Sequence, residues 1–221
     1  MKNFTILFLS ILLVSVNVVC SQQESETLFR YGLKAGLNIA SLNGKHNNLH
    51  LNQNTVLEPS SKYGLVIGGV MSMDFSEQFT AQIELNYTNL GVVYDAEEYV
   101  QTWALDYIEL PILFKSVFTM KDRYPASLFI GPVLAYNINA TWSDKVLSDY
   151  VHEDQKLNNI KTFDFAVAFG GSVEFDAWTG TMGFDGRYTW GLQTIKDGIS
   201  IQNGVISLSM YYLFSFDEQN Y

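Results

Sequence analysis

Apolar and polar residues alternate along most of this chain. Between Phe79 and Tyr87, Phe79, Ala81, Ile83, Leu85 and Tyr87 fall on one face, and Thr80, Gln82, Glu84 and Asn86 on the other. A period of two marks a β-strand with unlike faces. The same reading predicts eight strands, over about 30–42, 63–74, 78–91, 103–118, 126–140, 162–175, 180–191 and 203–216. The fourth sets Ile108, Leu110, Ile112 and Phe114 against Glu109, Pro111, Leu113 and Lys115. The sixth sets Phe163, Phe165, Val167, Phe169, Val173 and Phe175 against Asp164, Ala166, Ala168, Gly170, Ser172 and Glu174. At about 10–14 residues these strands exceed the ~5–6 usual in soluble domains. They suit a tilted membrane-crossing strand, which needs about 9–11.

The connections alternate as well. They are short after strands two, four and six, at Phe75-Ser76-Glu77, Lys121–Pro125 and Asp176–Thr179. They are long after strands one, three, five and seven, at about 43–62, 92–102, 141–161 and 192–202. Short turns at one end and long loops at the other are the layout of an outer-membrane barrel, with both termini on the periplasmic side. Closing an even number of antiparallel strands removes the sheet edges, as lipid requires. The predicted fold is therefore all-β, an eight-stranded antiparallel up-and-down transmembrane β-barrel.

Periodicity alone does not say which face points inward, and a soluble sandwich or lipocalin-type cup would bury the apolar one. Three features favour apolar-out. The polar face carries Lys34, Glu84, Glu109, Lys115, Asp164, Glu174, Asp185 and Arg187, which a narrow lumen can hold as a paired polar network. Glycines 32, 36, 64, 68, 131, 170 and 183 share that face, where a narrow interior needs room. Trp103, Trp142, Trp178, Trp190, Tyr87 and Tyr136 lie near strand ends, as interfacial girdles do.

The N-terminus reads as an address. Met1-Lys2-Asn3 precedes the mostly apolar Phe4–Val19, and the chain turns polar at Cys20-Ser21-Gln22-Gln23-Glu24. This predicts a secretory signal peptide over 1–21, removed, with a single barrel domain over 22–221. A lipoprotein reading of Cys20 meets Val19 where a small residue belongs, and the apolar run is short for the ~20 residues of a membrane span.

Composition narrows the function. One cysteine excludes an internal disulfide framework. Thirteen basic against 23 acidic residues give a net charge of -10, without the basic footprint of nucleic-acid binding. The histidines, His46, His50 and His152, fall in predicted loops, near Glu58, Glu153 and Asp154. They could serve a hydrolase at the barrel rim or be solvated loop residues. Asp144, Asp149, Glu153 and Asp154 lack the spacing of an EF-hand. No phosphate-binding loop, nucleophile elbow or His-Glu-x-x-His motif occurs. Neither a catalytic residue nor a metal or cofactor ligand is assigned. The acids Asp95, Glu97 and Glu98 and the long loops offer surfaces for a protein partner.

Several segments carry a family resemblance. Tyr31–Asn38 resembles the first strand of the PorT-like outer-membrane β-barrel family. Tyr63–Gly69, Ile83–Tyr87, Leu105–Pro111, Phe129–Pro132 and Tyr211–Phe214 extend the likeness in the family's order, over about 30–216. The Tyr107-Ile108-Glu109-Leu110-Pro111 segment is the most distinctive. The resemblance implies a signal peptide, an eight-stranded outer-membrane barrel and no cofactor. Some relatives take part in protein secretion across the outer membrane. Ser207–Phe214 resembles a terminal signal for the barrel-assembly machinery, read through Tyr212 and Phe214, although this chain continues with Ser215–Tyr221. The expectation is a small outer-membrane protein with a filled polar lumen, in contact with outer-membrane lipid. Its role would be structural, adhesive or secretion-accessory and not enzymatic. The alternatives are a soluble secreted β-barrel binding an apolar ligand, and a rim hydrolase using His152 or His46.

Overall fold

The computed structural model describes residues 28–44, 49–52, 55–96, 99–120, 124–146, 150–151, 155–157, 160–194 and 201–214. The predicted signal segment 1–21 and the tail 215–221 lie outside these residues. Eight long strands carry the fold: β1 (Leu28–Gly44), β3 (Thr55–Ser76), β4 (Phe79–Ala96), β5 (Tyr99–Met120), β6 (Tyr124–Val146), β9 (Phe163–Ala177), β10 (Gly180–Gly191) and β11 (Ile201–Phe214). Three short strands, β2 (Leu49–Asn52), β7 (Tyr150–Val151) and β8 (Gln155–Lys156), flank them. Each long strand pairs antiparallel with its chain neighbours. β1 pairs with both β11 (Leu37 opposite Leu208) and β3 (Leu37 opposite Leu65), which closes the barrel.

The predicted phase of each long strand is the observed one. Leu37, Leu65, Leu85, Phe114, Leu128, Phe165, Phe184 and Leu208 point outward and are exposed. Lys34, Glu84, Lys115, Asp185 and Arg187 point inward and are buried. The apolar face is thus outside, as a lipid solvent requires. The outward apolar band runs over 29–39 on β1, 79–87 on β4, 128–138 on β6 and 206–214 on β11. Glycine on the inner face is a steric necessity: at Gly131 a Cβ would strike the carbonyl oxygen of Ile112 on the neighbouring strand.

The main departure from expectation is at the long-loop end. β3 begins at Thr55, β4 runs to Ala96, β5 begins at Tyr99 and β6 runs to Val146. Much of what reads as loop at 43–62, 92–102 and 141–161 is therefore paired strand. Half of the barrel wall, β3–β6, rises well above the other half.

In this tall wall the faces exchange character. The inward parity of β4 is polar through Thr80, Gln82, Glu84, Asn86 and Thr88, then apolar at Leu90, Val92 and Tyr94. On β5, Glu109 gives way to Tyr107, Leu105 and Trp103. These side chains pack together with Ala40 of β1, Ala135 of β6 and Val205 of β11, and with Trp142, Leu157 and Ile160. Tyr94 and Trp103 meet edge to face at 5.4 Å. Trp103 and Trp142 are consequently core residues of an apolar cap over the barrel mouth, whereas Trp178 and Trp190 are exposed.

Backbone irregularities mark the changeover. An extra residue lies in β3 between Ser61 and Val66, and another in β6 at Ile138. Gly91 adopts a φ of 144°, which an L side chain rarely tolerates. A Cβ there would also collide with the carbonyl oxygen of Trp103. Bulges bend strands and re-aim side chains, and these two and Gly91 sit where the tall wall leaves the apolar band.

Candidate functional site

The lumen is built in layers. At the short-turn end, Arg30 of β1 pairs with Asp74 of β3 (3.0 Å) and Glu174 of β9 (3.4 Å). Tyr211 donates to the same Glu174 at 2.8 Å. Lys115 reaches Glu174 at 3.5 Å and the Tyr211 hydroxyl at 3.2 Å, with its ammonium 5.0 Å from the tyrosine ring centre. Thr80 donates to Asp74 at 2.7 Å.

The next layer centres on Glu84, whose side chain is fully buried. Arg187 donates to both its oxygens, at 2.7 and 3.0 Å. Lys34 donates to Glu84 at 3.2 Å and to Asp185 at 2.5 Å. Asn86 adds a bond at 2.8 Å, and Gln82 another. The Arg187 guanidinium also lies 5.4 Å from the ring centre of Phe129. The sequence supplies this fork by placing Lys34 on β1, Glu84 on β4, and Asp185 and Arg187 on β10, all at inward positions. A carboxylate taking a two-pronged Arg pair plus a Lys retains its charge away from water.

Of the eight residues predicted to face the lumen, Lys34, Glu84, Asp185 and Arg187 meet in one cluster and Lys115 and Glu174 in another. Glu109 and Asp164 face inward without an ion-pair partner among the described residues. Glu109 accepts from Thr88 at 3.0 Å, and Asp164 from its neighbour's amide (Phe165) at 2.8 Å and from Asn203 at 3.4 Å. A cavity of about 10 Å³ borders Glu109, Asn38, Asn86 and Arg187, roughly the space of one water. Arg30 and Asp74 belong to the lumen and escaped the sequence reading, although their parity on β1 and β3 could have found them; Tyr211, on the inward parity of the last strand, joins the same layer.

A second polar cluster lies outside, where the tall wall leaves the apolar band. Asp106 of β5 accepts from Tyr87 (2.9 Å), Asn89 (2.5 Å) and Asn139 (3.1 Å), and Lys62 donates to Asn89. Partial burial works against the Asp106 charge, but these donors and the nearby Lys62 hold its carboxyl below the usual range.

His46, His152, Asp149, Glu153, Asp154, Glu97 and Glu98 lie outside the described residues. His50, Glu58 and Asp95 are placed only as strand backbone, in β2, β3 and β4. Asp144 of β6 accepts from Gln101 at 3.0 Å. Among the described residues no group of three or more His, Cys, Asp or Glu side chains could hold a metal ion.

A closed antiparallel barrel of eight long strands, with charged residues inside and an apolar band outside, is the architecture of an outer-membrane barrel protein. The chain matches the model of the outer membrane protein beta-barrel domain over residues 20–197 and belongs to that family. It is an outer-membrane protein. No curated protein sequence matches it significantly. Among solved structures it is similar to Ail, the attachment invasion locus protein of Yersinia pestis, crystallised with the heparin analogue sucrose octasulfate. The identity is 11%, covering 84% of this chain and 99% of that one, with a TM-score of 0.40. It is also similar to OprG of Pseudomonas aeruginosa, at 7% identity over 88% of this chain and 100% of that one, with a TM-score of 0.43. Neisserial surface protein A gives 11%, 82%, 95% and 0.42.

Proposed function

We propose that this protein is a non-conducting outer-membrane anchor that presents the β3–β6 wall outside the cell as a rigid contact surface. Its role is adhesive, structural or secretion-accessory and involves no catalysis. The observation that carries the reading is the filled lumen. Two ion-paired layers and an apolar cap occupy the axis that a pore would need. A rigid wall built on an inert barrel suits recognition, because binding residues work best on a fixed scaffold.

The residues resembling the PorT-like family support a secretion-accessory role, and Tyr212 and Phe214 at the end of β11 support delivery by the barrel-assembly machinery. The proposed domain plan is a removed signal peptide over 1–21 followed by one barrel. The apolar outer face removes the basis for a soluble cup with a ligand inside.

Purified protein in a planar lipid bilayer should give no discrete conductance steps. Reproducible steps would refute the closed lumen. Cells bearing a version with 92–103 replaced by a two-residue turn should keep the barrel, read as altered gel mobility on boiling. They should lose cell–cell aggregation or attachment to glass relative to the full chain. Unchanged attachment would remove the tall wall from the function.

A further inference from the structure

The inner glycines of this barrel are explained by crowding, but three outward ones are not. A Cβ added at Gly186 of β10 would meet only a Leu208 methyl at 3.6 Å. At Gly171 of β9 it would meet the Ser127 carbonyl oxygen at 3.3 Å and a Leu128 methyl at 3.6 Å, and at Gly69 of β3 only a carbonyl oxygen at 3.9 Å. Glycine inside a strand is destabilising and gives up side-chain packing. Gly69 stands alone, whereas Gly171 and Gly186 are direct partners across the β9–β10 ladder. Together they open an apolar groove of about 820 Å³ in the outer wall. Its sides are Leu128 and Phe118 on one flank and Leu208 and Met210 on the other, with Phe184 at one end, all exposed.

The groove is continuous with the apolar band that faces the membrane. Its β5–β6 flank lies toward the short-turn end, and its β11 flank, at Leu208, passes the middle of the band. Phe118 and Leu128 flank the β5–β6 turn, and Val173 and Phe184 flank the β9–β10 turn. Short turns face the periplasm in such barrels, so at its β5–β6 flank the groove opens into the periplasmic leaflet, which is made of phospholipid. We propose that it is a specific site for a phospholipid acyl chain, held longer than the lipids around the rest of the barrel. The two glycines recess the wall, and the flanking side chains contact the chain along both sides. Binding would draw on dispersion contacts over the groove length, as apolar packing within a bilayer does. The site involves neither the lumen charges nor the raised part of the β3–β6 wall, so it stands apart from the proposed contact function.

The test is native mass spectrometry of the full protein, extracted in mild detergent from cells and added to vesicles of phosphatidylethanolamine. Wild type should retain one phospholipid-mass adduct at collision energies that strip the remaining lipid. Gly186→Leu fills the groove without a backbone clash and should lose that adduct. Gly69→Leu, an outward glycine away from the groove, should keep it. Altered gel mobility on boiling confirms that each variant is a folded barrel. Three results would overturn the proposal: no retained lipid in wild type, equal retention in Gly186→Leu, or a dimer mass that disappears in Gly186→Leu. The last would assign the groove to a second copy of the chain.

Discussion

Replacing Glu84 by Gln tests the lumen most directly. The substitution keeps shape and removes one charge. Glu84 has no solvent contact and takes Lys34 and Arg187 together, with Asn86 and Gln82 completing its bonds. After the change Lys34 keeps Asp185 at 2.5 Å, but Arg187 retains Asp185 only at 3.9 Å. Two buried cations then share one carboxylate, and the new amide nitrogen points a donor at donors. Breaking a buried, hydrogen-bonded pair from one side costs about 3–5 kcal/mol. The size of the loss comes from the stranded charge, so removing a cation as well should restore part of it. Adding Lys34→Met to Glu84→Gln leaves Arg187 and Asp185 as one charge of each sign. The two changes should therefore couple by about 1–3 kcal/mol in a double-mutant cycle. Urea titration of protein refolded into phospholipid vesicles gives the energies, with the folded fraction read from gel mobility before and after boiling. A Glu84→Gln cost below about 1 kcal/mol, the level of exposed pairs, would refute the buried ion-paired lumen. Strict additivity with Lys34→Met would do the same.

Other expectations test the outer face and the cap. Leu208→Arg places a cation on the lipid-facing wall and should oppose insertion by about 2–4 kcal/mol, whereas Thr102→Arg on the tall wall should change refolding yield little. Trp103→Ala empties the middle of the cap and should cost about 3–5 kcal/mol; limited proteolysis should then cut the β4–β5 hairpin while the barrel stays intact. Gly91→Ala forces a side chain into a φ of 144° against the Trp103 carbonyl, so the melting temperature should fall, and an unchanged melt would show that the bend is not needed. Asp106 is held below the usual carboxylate range in the folded protein. Its contribution is therefore complete above that range and is lost as pH falls through the lowered value. Asp106→Asn should flatten the acid limb of the stability profile, modestly because the site is partly exposed.

The barrel was legible in the sequence because lipid makes a simple demand. Every long strand keeps exposed apolar residues on its outward parity across the band, as Phe163 to Phe175 does on β9, and eight such runs with alternating turn lengths leave few arrangements. The cap was not legible under the same rule. Above the membrane the solvent is water, and the preference of the faces reverses. Leu90, Val92 and Tyr94 carry on the parity of Glu84 and Asn86, so they look like a break in the pattern although the strand continues. Trp103 and Trp142 look like girdle residues for a related reason: a tryptophan near a strand end suits an interface as well as a core. The ion-paired partners were partly visible, since parity fixes which charges face the lumen. Parity does not fix which strand lies opposite which, so it left Glu109 and Asp164 beside charges that the fold pairs elsewhere.

The apolar cap draws residues from β1 and β11 as well as from β4, β5 and β6. The first and last of these strands meet only when the barrel closes, and Ala40 and Val205 sit directly opposite each other across that joint. Mid-chain side chains thus settle onto the joint from above once it exists. The cap acts as a latch that can engage only after closure, and reopening the joint would require exposing Trp103, Leu105 and Tyr107 to water first. A barrel whose zipper is fastened in this way should release its terminal strands slowly, whatever the strength of the hydrogen bonds between them.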